Sequence, residues 1–401
     1  MFAFGQERQS KVDWVLLAAI AGLMVIGVTF VYSATMVSDA AAQIPFYNQP
    51  WFRQIVWYVL GATGMVVLCL ADYHALARWS LVAYWATILL LVAVLVPYIG
   101  AMRFGARRWI DLGFFQFQPS EFAKLTLIFA QAHFLSRPVD ELRQTSVFWK
   151  ALGLMALPFV LVMKEPDLGS ALILIPMGLT MLFVAGVPVR YLSKLVGGAA
   201  VLVALILIDV LFAPPNWQIK LEDYQKRRLL VYFGQDAARP NATPAERAEA
   251  RREMRNYSYN VDQAMISVGS GGLMGKGWRK GTQNALGYLP RLVAHNDFIF
   301  SVIAEEKGFM GSVTVIALYS VVLFTGIRIA GQTRDRLGKL LAVGVVAMLF
   351  SHVFINIGMN IRLMPVTGVP LPLLSYGGSS VLCSLIAAGI LQNVYIYRRS
   401  Y

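Results

Sequence analysis

Ten apolar runs divide this chain, and no soluble core could absorb them. They lie at Trp14 to about Tyr32, then about Ile55–Leu70, Ser80–Tyr98, Phe122–Leu135, Ala151–Val162, Ser170–Ala185, Leu192–Phe212, Phe309–Ile327, Leu340–Ile357 and Val381–Ile396. A membrane helix needs roughly 20 apolar residues, and a chain in lipid must satisfy its backbone hydrogen bonds within each span. The runs therefore predict an all-α polytopic membrane protein with about ten transmembrane helices in a single membrane domain over residues 1–401. Composition agrees, with 57% hydrophobic residues, 14% charged residues and a mean hydropathy of +0.59. The fourth and fifth runs are short and end at polar or proline-containing sequence, so they are expected to be broken or tilted. Arg8 and Lys11 precede a first run longer than a signal-peptide core, which reads as a retained span.

Charge placement orients the spans. With a cytoplasmic N-terminus, the loops holding Arg137, Arg143 and Lys150, then Arg190 and Lys194, then Arg328, Arg334, Arg336 and Lys339, and the tail Arg398-Arg399, all fall on the cytoplasmic side. An even number of spans returns the C-terminus to that side too. The stretch 214–296 is then a large extracytoplasmic loop between helices seven and eight. The net charge of +13 is spread between spans rather than gathered on a soluble module, which argues against nucleic acid and for an anionic membrane or lipid headgroup. Cys69 and Cys383 both sit in apolar runs and suggest neither a disulfide frame nor a metal site.

Within the loop, Thr243-Pro244-Ala245-Glu246 is a capping box, and a soluble helix is expected from there to Arg255. Thirteen Lys/Arg stand against seven Asp/Glu between Pro214 and Asn296, a net of +6. The run Gly269–Gln283 sets Lys276, Arg279 and Lys280 among glycines, where backbone N–H groups can approach an anion closely. It is not a nucleotide-binding P-loop: Ser270 stands where the first glycine belongs and Gly277 where Ser or Thr would hold magnesium.

Asp297 follows, and on a helix it shares a polar stripe with Ser301 and Glu305. A carboxylate at a membrane boundary, near cations yet partly desolvated, suits a general base; the plainer reading is a helix N-cap. Glu121 and Lys124, spaced i, i+3, form either an ion pair that locks a helix or part of a substrate site. Arg53, Arg103, Arg107, Arg108, Asp111 and the turn Lys164-Glu165-Pro166-Asp167 give the same face a charged mouth. The last external loop, Arg362 to Ser380, opens into a helix through Ser375-Tyr376-Gly377-Gly378, either as an anion-binding helix start or as a tight turn. His352, Asn356 and Asn360 share one face of span nine and read as interhelical hydrogen bonds.

Taken in order, Tyr32-Ser33-Ala34, Arg53-Gln54, Gln118 through Lys124, Glu165-Pro166-Asp167-Leu168-Gly169, the glycine run and Pro365 through Ser380 resemble the SEDS family (shape, elongation, division and sporulation) over nearly the whole chain. These are bacterial peptidoglycan glycosyltransferases, and the glycine run is more similar to the RodA-like elongation branch than to the division branch. Asn296 replaces the threonine that usually precedes the aspartate. The resemblance implies polymerisation of lipid II at the outer face of the cytoplasmic membrane, with inversion and release of undecaprenyl pyrophosphate. It makes Asp297 the catalytic base and marks Lys276, Arg279, Gln283, Arg108, Glu121, Lys124, Asp167, Ser375 and Gly377 as the expected substrate contacts. It also implies a class B penicillin-binding protein, a transpeptidase, and other elongation-complex proteins as partners. A divalent cation such as Mg or Mn stays open as an aid to the pyrophosphate's departure. A lipid II flippase and a non-catalytic scaffold for the transpeptidase are the alternatives; no clear internal repeat supports the first, and the second would not need Asp297.

Overall fold

The computed structural model describes residues 12–36, 44–103, 106–113, 115–212, 223–233, 243, 258–289 and 291–398. Among these, ten helices have 16 residues or more: α1 Trp14–Thr35, α2 Pro50–Leu70, α3 Ser80–Leu95, α4 Pro119–Leu135, α5 Thr145–Lys164, α6 Leu168–Ala185, α7 Val189–Phe212, α8 Ile299–Gln332, α9 Arg336–Asn360 and α10 Gly378–Tyr397. Eight are long and apolar enough to cross a membrane, while α3 and α4 have 16 and 17 residues. The fifth run is not broken. The mixed stretch from Thr145 to Lys150 extends it into a 20-residue helix that continues through Pro158. The expected helix up to Arg255 falls outside the described residues.

Local chemistry sets the helix starts. Asp13 accepts the Leu16 N–H at 3.1 Å, Asp167 that of Ser170 at 3.1 Å and Asp335 that of Gly338 at 2.9 Å, N-caps worth about 1 kcal/mol each. Pro50 and Pro119 occupy the first turns of α2 and α4, where a missing N–H costs nothing. Gly186 ends α6 in the left-handed conformation.

The long helices alternate in direction. Arg328 pairs with Asp13, His74 Nε2 lies 3.4 Å from Asp335, and Arg336 donates to the Ala185 carbonyl at 2.8 Å, which ties together one end of the bundle. The starts of α2, α4, α6, α8 and α10 gather at the other end. α10 packs along α2, α9 against α6, and α8 against both α1 and α9. Protein covers 67% of the α9 span and 78% of the α10 span but only 6% of the α7 span, so polar side chains on α9 face neighbours while α7 presents its apolar surface outward.

The all-α expectation gains one addition, a three-stranded antiparallel sheet of β1 (Gly100–Arg103), β2 (Ala106–Asp111) and β3 (Gln116–Phe117). Gly100 pairs with Ile110 and Ile110 with Phe117. Hidden between two apolar runs, the sheet holds Arg108 against the α5–α6 turn.

Candidate active site

A cavity of about 540 Å³ opens where the five helix starts converge. Arg53 and Trp57 from one face of α2, Arg108 and Trp109 from β2, Gln118 before α4, Asp167 at the head of α6, Asn296 and Asp297 before α8, and Gly368, Pro370 and Tyr376–Ser380 before and into α10 all line it. Helix N-termini carry unpaired N–H groups and a positive dipole end, so this mouth favours anions.

Asp297 stands before α8 rather than on it. Phe298 is the N-cap residue and α8 begins at Ile299, so the expected stripe with Ser301 and Glu305 does not form. Ser301 Oγ instead donates to Asn360 Oδ1 at 2.5 Å. The Asp297 backbone is fixed: its N–H donates to the Val293 carbonyl at 3.0 Å, and its own carbonyl accepts from Asn356 Nδ2 at 2.9 Å and Asn360 Nδ2 at 3.2 Å. Burial raises its carboxyl from the ordinary 3.8 to about 6, against the downward pull of Arg108 and then Arg228, with Asp167 adding to the rise. Gly368, at φ +72°, lies close enough that an added Cβ would sit 3.4 Å from Asp297 Oδ2.

Arg108 organises the opposite wall. Its Nε donates to the Glu165 carbonyl at 3.2 Å, its Nη2 hydrogen-bonds the Pro166 carbonyl, and its Nη1 is 4.0 Å from Asp167 Oδ1. Asp167 Oδ2 accepts from Gln118 Nε2 and Ser120 Oγ, each at 3.2 Å. Glu165 is fully buried, and burial first, then Asp167, pushes its carboxyl up to about 9 despite Arg108, so it is neutral at pH 7.

Four of the expected site residues line this cavity: Asp297, Arg108, Asp167 and Gly377. Ser375 lies behind it, with its Oγ donating to the Asn296 carbonyl at 2.5 Å. Glu121 and Lys124 form a buried ion pair at 2.6 Å, away from the lining. Lys276, Arg279 and Gln283 are not in the cavity. Lys276 Nζ pairs with Glu305 Oε1 at 2.7 Å, the Gln283 N–H donates to the same oxygen at 2.9 Å, and the Arg279 N–H donates to Glu306 Oε2 at 3.0 Å. The glycines of this run serve close backbone packing: the Lys276 and Gly277 N–H groups donate to the Glu305 and Glu306 carbonyls at 3.0 Å each, beside the kink at Gly308 in α8. A Cβ at Gly275, where φ is +80°, would lie 2.2 Å from the Glu306 carbonyl oxygen. The stretch that reads as an anion loop is thus a clamp on two glutamates. Lys276→Ala leaves the wholly buried Glu305 carboxylate without its cation and lowers stability by about 3 kcal/mol, seen as a lower thermal midpoint in detergent. A wild-type midpoint would show that the pair carries no stability.

Two contributors escape sequence reasoning. Arg228, in the helix Asp223–Phe233, acts electrostatically on Asp297 and reaches the Thr367 carbonyl at 3.5 Å. Its signal was the apolar run Leu229–Phe233 directly after a pair of arginines, an amphipathic pattern inside a loop. Trp57, one helical turn beyond Arg53, was hidden by the apolar background of its span. Among the described residues no three His, Cys, Asp or Glu side chains gather as a metal site.

Residues 13–400 match the FtsW/RodA/SpoVE family, described as "Cell cycle protein". The chain is 36% identical over 379 residues to the peptidoglycan glycosyltransferase MrdB of Escherichia coli K12, covering 94% of this chain and 93% of that one. In structure it is similar to a chain of a peptidoglycan synthase complex solved for its coordination of polymerization and crosslinking, with TM-score 0.75, 28% identity and coverage of 97% and 99%. It is also similar to the rod shape determining protein RodA of Thermus thermophilus, with TM-score 0.63, 28% identity and coverage of 97% and 98%. The match spans every helix that builds the cavity, and the chain belongs to the SEDS family of FtsW, RodA and SpoVE proteins.

Proposed function

We infer that this chain is a peptidoglycan glycosyltransferase that polymerises lipid II during cell-wall elongation. The observation that carries the reading is one carboxylate, Asp297, raised to about 6 by burial and set in a cation-framed cavity of a SEDS protein. At neutral pH it is mostly ionised and basic enough to take a proton. Asp297 accepts the proton of the acceptor's sugar hydroxyl as that oxygen bonds to the anomeric carbon of the donor strand. The bond from that carbon to the pyrophosphate oxygen breaks, the configuration inverts, and undecaprenyl pyrophosphate leaves. Arg108, Arg228 and the converging helix starts oppose the charge that develops on the leaving group.

The loops at the end of the bundle away from the cavity carry Arg137, Arg143, Arg190, Arg334 and Arg336. By the positive-inside rule that end and both termini are cytoplasmic, and the cavity faces outward, where lipid II is used. A class B penicillin-binding protein is the partner that crosslinks the product, in keeping with the likeness to a synthase complex.

The pH dependence tests the base. Asp297 works deprotonated and its pKa is raised, so the rate is lost as pH falls through about 6 and is full above it. Initial rates of glycan synthesis across that range should show one acidic limb near 6. A profile flat through about 6 would remove Asp297 from the role.

A further inference from the structure

The intramembrane ion pair and the catalytic cavity are joined by a side chain that the mechanism above does not use. Lys124 Nζ lies 2.6 Å from Glu121 Oε1 and 2.8 Å from His352 Nε2. His352 Nδ1 lies 3.3 Å from the Pro370 carbonyl oxygen. Glu121, Lys124 and His352 are exposed by only 3%, 1% and 3%, so no solvent competes for these contacts. An ammonium only donates. Nε2 must therefore accept, which leaves the proton on Nδ1, aimed at Pro370. This neutral tautomer satisfies both neighbours, whereas an imidazolium would set an N–H against the ammonium.

Pro370 and Gly368 line the cavity, and a Cβ added at Gly368 would lie 3.4 Å from Asp297 Oδ2. One turn along α9, Asn356 Nδ2 donates to the Val369 carbonyl at 2.7 Å and to the Asp297 carbonyl at 2.9 Å. Consecutive turns of α9 thus hold the wall at Val369 and at Pro370. The first anchor also grips the base; the second is tied to the ion pair on α4.

We propose that His352 is a positioning residue, which uses the Glu121–Lys124 pair as a fixed post to set the Gly368–Pro370 wall against Asp297. The proposal rests on the glycosyltransferase reading for its readout. Misplacing a reacting group by about 1 Å can cost on the order of a hundredfold in rate. Loss of the Pro370 anchor therefore acts on turnover.

The test compares His352→Gln, His352→Asn and His352→Leu in the purified complex with its transpeptidase, using labelled lipid II and scoring rates per folded molecule. A glutamine amide can accept from Lys124 and donate to Pro370, so His352→Gln should keep kcat within about twofold of wild type. His352→Leu should lower kcat roughly ten- to a hundredfold with KM little changed. If the leucine variant does not fold, His352→Asn, too short to span both partners, carries the comparison and should fall well below His352→Gln. Folded His352→Leu with wild-type kcat, or Asn and Gln variants that turn over alike, overturns the proposal. Wild-type protein that makes no polymer overturns the glycosyltransferase reading instead, so the two failures are distinct.

Discussion

Asp297→Asn lowers glycan polymerisation by about a hundred- to ten-thousandfold while leaving the protein folded and bound to its partner. The substitution keeps size and shape and removes the negative charge and with it the ability to take up a proton. The surrounding structure does not lean on the carboxylate. The backbone carbonyl of Asp297 is held by Asn356 and Asn360, its N–H by Val293, and α8 begins without a side-chain cap. Loss of rate therefore cannot be read as loss of fold. Polymer formed from labelled lipid II, measured beside the thermal midpoint and co-purification with the transpeptidase, checks this; undiminished polymer from the asparagine variant would take the base assignment away.

Arg108→Gln should cost about a hundredfold or more at neutral pH. The guanidinium serves four groups together: it holds the carbonyls of Glu165 and Pro166, faces Asp167 at 4.0 Å, and restrains the rise of the Asp297 carboxyl. Its removal leaves Asp167 and Asp297 beside each other with less compensating charge. The acidic limb then moves above 6, so part of the lost rate returns as pH is raised. The part owed to charge on the leaving pyrophosphate does not return. Arg108→Lys restores the charge but not the fork that spans two carbonyls, and falls between the two. Initial rates at several pH values separate these contributions; an Arg108→Gln limb in the wild-type position would mean that Arg108 does not act on Asp297.

The helices were legible because each apolar run is a physical requirement of the membrane, visible one residue at a time. Asp297, Arg108, Asp167 and Gly377 were legible because charge and glycine stand out against that background. What could not be read was the long-range pairing of charges. Nothing local tells Lys276 that Glu305, 29 positions later, will bring a buried carboxylate to it, and the glycines that suit an anion suit a close backbone crossing equally well. Glu121 and Lys124 were open for the same reason, since i, i+3 spacing predicts their pairing but not their depth. The small sheet was missed because strands of two to six residues leave no periodic signal between two spans. Arg228 belongs to a loop whose charges look solvated until the fold turns one inward.

Conversion of labelled lipid II by the purified wild-type chain with its cognate transpeptidase tests the central claim most directly. Glycan strands should form with release of undecaprenyl pyrophosphate. A folded, partner-bound complex that makes no polymer but moves lipid II across a vesicle membrane would contradict the account and make the chain a transporter.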